Sequence, residues 1–260
     1  MLPIAAMPIN DPDGRLFPHL KIVMPDLKAL FSAVYLSVPP QTLERQPREI
    51  AWLKNEPFFK VLYREEALPP GDDFLTLYET AAGSAQAEQL VHLCYLDRLA
   101  FALQTGHRTQ FMADIAGLQA GDTPIIFERS PAAWETHPRN YYELEKMVSD
   151  AAQWLFGRSM DYAWCHIALP AKTLLQIIPG ITRRDMAHVA EYILPIRSCV
   201  QVKAVDWLAW EDPFIFDEDP LTLKAEREQS LHETHKRLAY VIPMLQLLNE
   251  AGGGWEQAVW

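Results

Sequence analysis

Asp97 and Arg98 stand directly after the apolar run 90–96, where a carboxylate and a guanidinium can serve ligand chemistry. A carboxylate at the end of a buried strand can hold a divalent cation or a ribose hydroxyl. Asp97 has a second reading, as the cap of the helix that follows. A denser group lies in the stretch 127–139, Phe-Glu-Arg-Ser-Pro-Ala-Ala-Trp-Glu-Thr-His-Pro-Arg. Arg129 and Arg139 can fork onto phosphate oxygens, and Trp134 can stack on a sugar or a base. Equally, the stretch reads as a surface loop laced by salt bridges. Glu143 and Glu145 follow just inside the next helix. Two residues apart, they point to different faces, so at most one can meet a cleft as a base. A third group, Asp206, Glu211 and Asp212, is interleaved with Trp207 and Trp210. It reads as an acceptor pocket, with tryptophan faces for sugars and carboxylates for hydroxyls, or as a strand end with core tryptophans.

Other motifs are absent or weak. His232-Glu-Thr-His235 is not H-E-x-x-H, and no third ligand accompanies it, so a solvated helix face is its reading. There is no G-x-G-x-x-G, Walker loop, G-x-S-x-G or kinase signature, which argues against the common dinucleotide, ATP and serine-hydrolase sites. The three cysteines, Cys94, Cys165 and Cys199, form no C-x-x-C pair. Cys94 and Cys165 lie in apolar runs and read as small buried hydrophobes.

Positioning these groups requires a sheet. Apolar runs at 3–9, 33–38, 58–63 and 90–96 read as strands. They alternate with helical patterns at 16–31, 42–53, 72–82 and 99–115. Such alternation implies right-handed crossovers and a mostly parallel sheet flanked by helices, with ligands at the carboxyl ends of its strands. Asn10 and Asp11 after the first strand, and Asp97 and Arg98 after the fourth, should share that edge. The second half is less regular. Strands are expected at 123–127, 162–169 and 200–205, a polar loop at 130–140, and helices at 141–156, 172–178 and 185–196. A long C-terminal helix is expected at 222–250, broken near Pro243. The strand at 123–127 should neighbour the fourth. One α/β domain over 1–250 with a flexible tail at 251–260 is the expected organisation.

The chain has 260 residues, 49% hydrophobic, and a formal net charge of -11. Its length allows a sizeable core without disulfides or structural metal. The acidic balance and the lack of a basic run exclude nucleic acid and anionic lipid as expected partners. No signal-peptide pattern and no apolar run of about 18 residues occurs, so a cytoplasmic location and no membrane span are expected.

The order of parts resembles the nucleotide-sugar glycosyltransferases of the GT-A fold. The residues that carry the resemblance are Met7-Pro-Ile-Asn-Asp11 at the first strand end, and the helix at 72–82. Next come the buried strand Val91-His-Leu-Cys94 and then Tyr95-Leu-Asp-Arg98. In that family this last place carries Asp-x-Asp, which binds the metal and the donor diphosphate. Asp97 matches its second carboxylate, and Tyr95 stands at its first. Arg129, Thr136-His-Pro138 and Glu145 are similar to a pattern in an uncharacterised glycosyltransferase-like group. The likeness spans most of 1–205. It implies a GT-A-like fold, a nucleotide-sugar donor, an acceptor it does not specify, and Mg²⁺ or Mn²⁺ at Asp97. It also implies Glu145 as base with His137 beside it, and Asn10, Asp11, Arg98, Arg129, Trp134, Arg139, Trp207 and Glu211 around the substrates. An Arg-assisted site without metal is compatible with the departure at Tyr95. The other readings are a catalytically silent domain that binds a nucleotide, sugar or protein, and a nucleotidyltransferase. The latter is disfavoured by the lack of a Gly-rich phosphate loop.

Overall fold

The computed structural model describes residues 1–121, 123–164 and 166–253. Cys165 and the part of the expected tail from 254 to 260 lie outside the described residues. The first half follows the expected alternation: β1 (Ile4–Pro8), α1 (Leu16–Leu30), β2 (Ala33–Val38), α2 (Pro40–Arg45), α3 (Pro47–Asn55), β3 (Phe59–Tyr63), α4 (Pro70–Ser84) and β4 (Leu90–Leu93). It continues through α5 (Leu96–Gln104), α6 (Arg108–Ala116), β5 (Ile125–Arg129), α7 (Pro131–Thr136), α8 (Arg139–Phe156) and β6 (His166–Pro170). The remainder is α9 (Ala171–Ile177), α10 (His188–Ile193), β7 (Gln201–Val205), α11 (Asp212–Phe216), α12 (Pro220–Gln229) and α13 (Leu231–Ala251).

The strands form one mixed sheet in the order β3-β2-β1-β4-β6-β5-β7. Only β6 opposes its neighbours. It pairs antiparallel with β4 and with β5, while the other pairs are parallel. This corrects one expectation, because β5 does not adjoin the fourth strand; β6 lies between them. Two reversals cancel, however, so β5 runs the same way as β4. The carboxyl ends of β1, β2, β4, β5 and β7 therefore meet on one edge.

Both faces of the sheet are buried, as the near-continuous apolar strands require. Along β1, Ala5 and Met7 face one core with Phe17, Leu20, Leu99 and Phe111 from α1, α5 and α6. Ile4 and Ala6 face the other, with Leu77, Val148, Leu174 and Leu248 from α4, α8, α9 and α13. That is the period-two alternation of a strand.

Several boundaries differ from the sequence reading for local reasons. The helix expected at 42–53 is two helices, because Pro47 starts a new one at its first turn. The stretch 130–140 is not all loop. Ser130 accepts a hydrogen bond from the Ala133 N–H and caps α7, which has proline at its first turn. The C-terminal helix breaks at Ser230 rather than Pro243. Ser230 accepts from the Glu233 N–H and so starts α13, and Pro243 is carried inside it. Asp72 and Asp73 fall inside the first turn of α4, and neither caps it.

Asp11, expected at the substrate, is part of the scaffold. Its Oδ1 accepts from the Arg15 N–H at 2.8 Å, and its Oδ2 from the Leu16 and Phe17 N–H groups at 2.7 and 3.2 Å. Its own N–H donates to Thr42 Oγ1 at 2.9 Å. Both carboxylate oxygens are thus spent on the free amides at the start of α1. Asp11→Ala should lower stability by about 1–2 kcal/mol in urea unfolding, the cost of losing a helix cap. Asp11→Asn should recover part of it, since one amide oxygen remains.

Candidate functional site

Two cavities meet at the carboxyl edge of the sheet. One, of about 370 Å³, lies over the ends of β1, β2 and β4, with Asn10, Asp73, Phe74 and Leu16 in its wall. The other, of about 250 Å³, continues past α5, with Arg98, Arg129, Glu145, Glu211 and Arg237 in its wall. Tyr95, Asp97, Met186 and Tyr240 line both. Asp97 and Asn10 therefore share an edge and a cavity, as the strand alternation implies.

Asp97 sits in the first turn of α5. Its Oδ1 accepts from the Arg98 N–H at 2.7 Å, and the helix cap position is Tyr95, which makes no side-chain cap. Burial raises the Asp97 carboxyl above its usual range, with Asp212 adding to the push and Arg98 opposing it. Arg98 forms an ion pair with the buried Glu211 and donates to the Ala209 carbonyl at 3.3 Å. Burial pushes Glu211 up to about 8; Arg98 opposes this, and Asp97 and Asp212 reinforce it. Asp97, Arg98 and Glu211 thus make one coupled set facing the inner cavity.

His137 is buried against this set rather than open to a substrate. Its Nδ1–H donates to the Ala133 carbonyl at 3.0 Å, which leaves Nε2 to accept from Arg98 Nη1 at 3.3 Å. Burial, then Arg98 and Arg129, hold it well below the usual histidine range, so it is neutral. The expected catalytic histidine is, in this geometry, a fixed acceptor that orients Arg98.

Arg129 and Glu145 are brought to the cavity, yet their bonding corrects the roles expected for them. Arg129 donates twice to Asp161, at 2.8 Å each, and to Glu145 Oε2 at 2.6 Å. Its guanidinium lies 3.5 Å from the Trp134 ring centroid. It is 4% exposed, so its hydrogens are committed inside the protein and are not offered to a phosphate. The second Glu145 oxygen accepts from Arg237 Nη1 at 2.5 Å. Burial alone would raise the Glu145 carboxyl, but Arg129 and Arg237 outweigh it and hold it below the usual range. A carboxylate so stabilised as an anion is a weak proton acceptor.

The remaining expected residues divide. Trp134 and Arg139 line a third, outer cavity of about 620 Å³, which also includes Tyr142, Lys146 and Lys224. Trp134 is covered on one face by Arg129, and Arg139 is tied to Glu143 at 2.7 Å. Trp207 is core: fully buried, with its Nε1–H donating to Asp114 Oδ2 at 2.7 Å. This corrects its place in the acceptor pocket, since its polar atom is spent inward. His232 and His235 are exposed on α13, as a solvated face requires.

Sequence reasoning missed Arg237, which reaches the cavity from α13 beside Tyr240, Val241 and Met244. The spacing of these four places them on one helix face. That signal was present but looked like an ordinary apolar stripe with one charge.

No family model matches the chain, and no curated protein matches it. Among solved structures, it is similar to residues 1–349 of S. aureus TarS. The two are 13% identical with a TM-score of 0.45, over 100% of this chain and 76% of that one. At that level the likeness carries no argument, and what the site can do rests on its own residues. No helix among the described residues is long and apolar enough to cross a membrane.

Two expectations follow from the charges. Glu145→Gln should leave the buried Arg129 and the part-buried Arg237 undercompensated and lower stability by about 3–5 kcal/mol, read from urea melts. Glu211 has a folded value near 8 and an unfolded value near its ordinary 4.5, so the folded state holds the extra proton. Its contribution to stability therefore declines as pH rises between those values, by at most ~1.4 kcal/mol per unit. Buried His92, His137, His166 and His188, all shifted down, act oppositely below about pH 6.5. The Glu211 effect is thus isolated by comparison with Glu211→Gln, which mimics the protonated side chain: the two should be close in stability near pH 5, and wild type should fall progressively below the variant toward pH 8.

Proposed function

We propose that this protein is a glycosyltransferase using a nucleotide-sugar donor. The observation that carries the reading is the pair of cavities joined at Asp97. A donor and an acceptor must meet at one point, and here two adjoining spaces share a carboxylate. The outer end of the first cavity, between the ends of β1 and β2, suits the nucleoside. Phe74 and Leu16 supply apolar walls there, and Asn10 and Asp73 supply polar groups. The diphosphate would then lie toward Asp97 and the sugar at the junction, with the acceptor hydroxyl arriving from the inner cavity.

Mg²⁺ or Mn²⁺ fits this arrangement. Mg²⁺ usually takes one or two carboxylates together with substrate phosphates and water. Asp97, part-buried beside other carboxylates, is the kind of ligand a cation would relieve; when bound, the ion would offset charge on the leaving diphosphate. Arg98 is the nearest protein cation to Asp97 in sequence and lines the same cavity, so it can share that task. Its fixed position follows from Glu211, His137 and the Ala209 carbonyl.

Glu211 is the preferred base in place of Glu145. It lines the inner cavity, and its elevated value makes the ionised form a stronger proton acceptor than an ordinary carboxylate. The acceptor oxygen would form the new bond to the anomeric carbon as the bond to the diphosphate breaks, with its proton passing to Glu211. Transfer should then rise with pH up to about 8 and level off above it.

The test is a panel of nucleotide sugars, screened by thermal shift with and without Mn²⁺, followed by donor-hydrolysis assays on the responding donor. Asp97→Asn should abolish cation-dependent donor binding with little change in melting temperature. Glu211→Gln should keep donor binding and reduce turnover by roughly 10²-fold or more, the usual worth of a general base. Intact metal-dependent donor binding in Asp97→Asn would defeat the ligand role. Turnover lost in Asp212→Asn but kept in Glu211→Gln would move the base to the neighbouring carboxylate.

A further inference from the structure

Behind the candidate site, on the face of the sheet covered by α1, α5 and α6, three metal-ligand side chains converge. They are His92 and Cys94 of β4 and His166 of β6. One ligand atom from each lies within 4.8 Å of the other two, and all three residues are fully buried. Their convergence follows from the strands. His92 and Cys94 are two apart on β4 and so share a face. The antiparallel ladder pairs Leu93 with Ile167, and one step further brings Cys94 opposite His166.

The imidazoles meet through His92 Nε2 and His166 Nδ1, 3.1 Å apart. Two nitrogens at that separation subtend roughly 100° at an ion about 2.05 Å from each. The outer nitrogens, His92 Nδ1 and His166 Nε2, have no hydrogen-bond partner among the described residues. They lie instead among Phe31, Phe111, Phe127 and Trp207. Cys94 Sγ donates to the Ala6 carbonyl at 4.0 Å. Two imidazoles kept in an apolar core for one mutual hydrogen bond cost more than they return, since each orphaned nitrogen is penalised by about 1–3 kcal/mol.

We propose that His92, Cys94 and His166 bind one soft, monovalent metal ion, with Cu(I) as the fitting case. Thiolate and imidazole select soft ions. The three side chains are fully buried among aromatic rings, so net charge decides between them. Cu⁺ with the Cys94 thiolate is neutral, whereas Zn²⁺ would leave an uncompensated positive charge and call for a fourth ligand. Binding displaces the thiol proton: Cu⁺ takes its place on sulfur, and no electron is transferred. The ion would clip β4 to β6 where the sheet changes direction, three residues before Asp97. It would stiffen the strand end that presents Tyr95 and Asp97.

The test uses the full chain with Cys165→Ser and Cys199→Ser, so that Cys94 is the sole thiol. The protein is refolded anaerobically with one equivalent of Cu(I) and then challenged with a bathocuproine chelator. The expected result is close to one copper retained per chain. X-ray absorption should show one sulfur and two nitrogens, and the melting temperature should rise by more than about 5 °C, as for a ligand that binds only the folded state. Cys94→Ala in the same background should retain none. The double variant His92→Leu/His166→Leu guards against simple misfolding: it removes both orphaned nitrogens together with their one mutual hydrogen bond, so its metal-free form should melt at or above the parent's temperature, yet hold no copper. Failure of the parent to keep copper against the chelator would overturn the proposal, and so would unchanged retention in either variant.

Discussion

A guanidinium cannot be left alone inside a protein, and Arg129 is the point from which the arrangement around the site follows. Removing such a charge from water costs several kcal/mol after relaxation, so the chain must bring partners to it. Asp161 arrives from the loop before β6, Glu145 from α8, and the ring of Trp134 from α7. Glu145 in turn needs a second cation, which Arg237 supplies from α13. Four segments, α7, α8, the loop before β6 and α13, are thereby fixed around one side chain at the end of β5. The inner cavity is what remains between them and α5.

This explains why the site has two electrostatic characters. On the Arg129 side the charges are matched and locked, and Glu145 is held as an anion. On the Asp97 side they are not. Asp97, Glu211 and Asp212 share the neighbourhood of Arg98, so carboxylates outnumber that cation and two of them are pushed upward. Excess negative charge in a cavity is a disposition to bind a cation or to take up a proton. Matched charge is a disposition to hold shape.

Much of the fold was legible in the sequence because buried parallel strands are apolar on both faces and announce themselves as runs. β1, β2 and β4 were readable for that reason, and the helix between each pair followed from periodicity. The insertion of β6 between β4 and β5 was not readable, because antiparallel pairing changes the neighbour of a strand and not its pattern. In the site, residue types pointed to the right region: Asp97, Arg98, Arg129, Glu145 and Glu211 do line one cavity. Roles were harder. Sequence shows that an arginine is present and not whether its hydrogens are already taken, so Arg129 looked like a phosphate ligand and Asp11 like a substrate contact. Trp207 had the same ambiguity, resolved by a bond to Asp114 from 93 residues away. Arg237 and Glu145 are 92 apart, and nothing local to either signals the other.

The joint at Ser230 has a consequence for how this chain can vary. From that cap, α13 runs unbroken and presents Arg237, Tyr240, Val241 and Met244 to the cleft. Each residue advances an α-helix by about 100°. Deleting or inserting one residue between Ser230 and Arg237 would leave a helix of nearly the same length and composition. It would also swing all four side chains away together, stripping Glu145 of its second arginine. The exposed positions of 231–236 can therefore drift in identity while the segment's length stays fixed and Glu233 and Thr234 keep their partners Tyr141, Arg227 and Asn140, so that among descendants of this sequence gaps should be rarer there than substitutions.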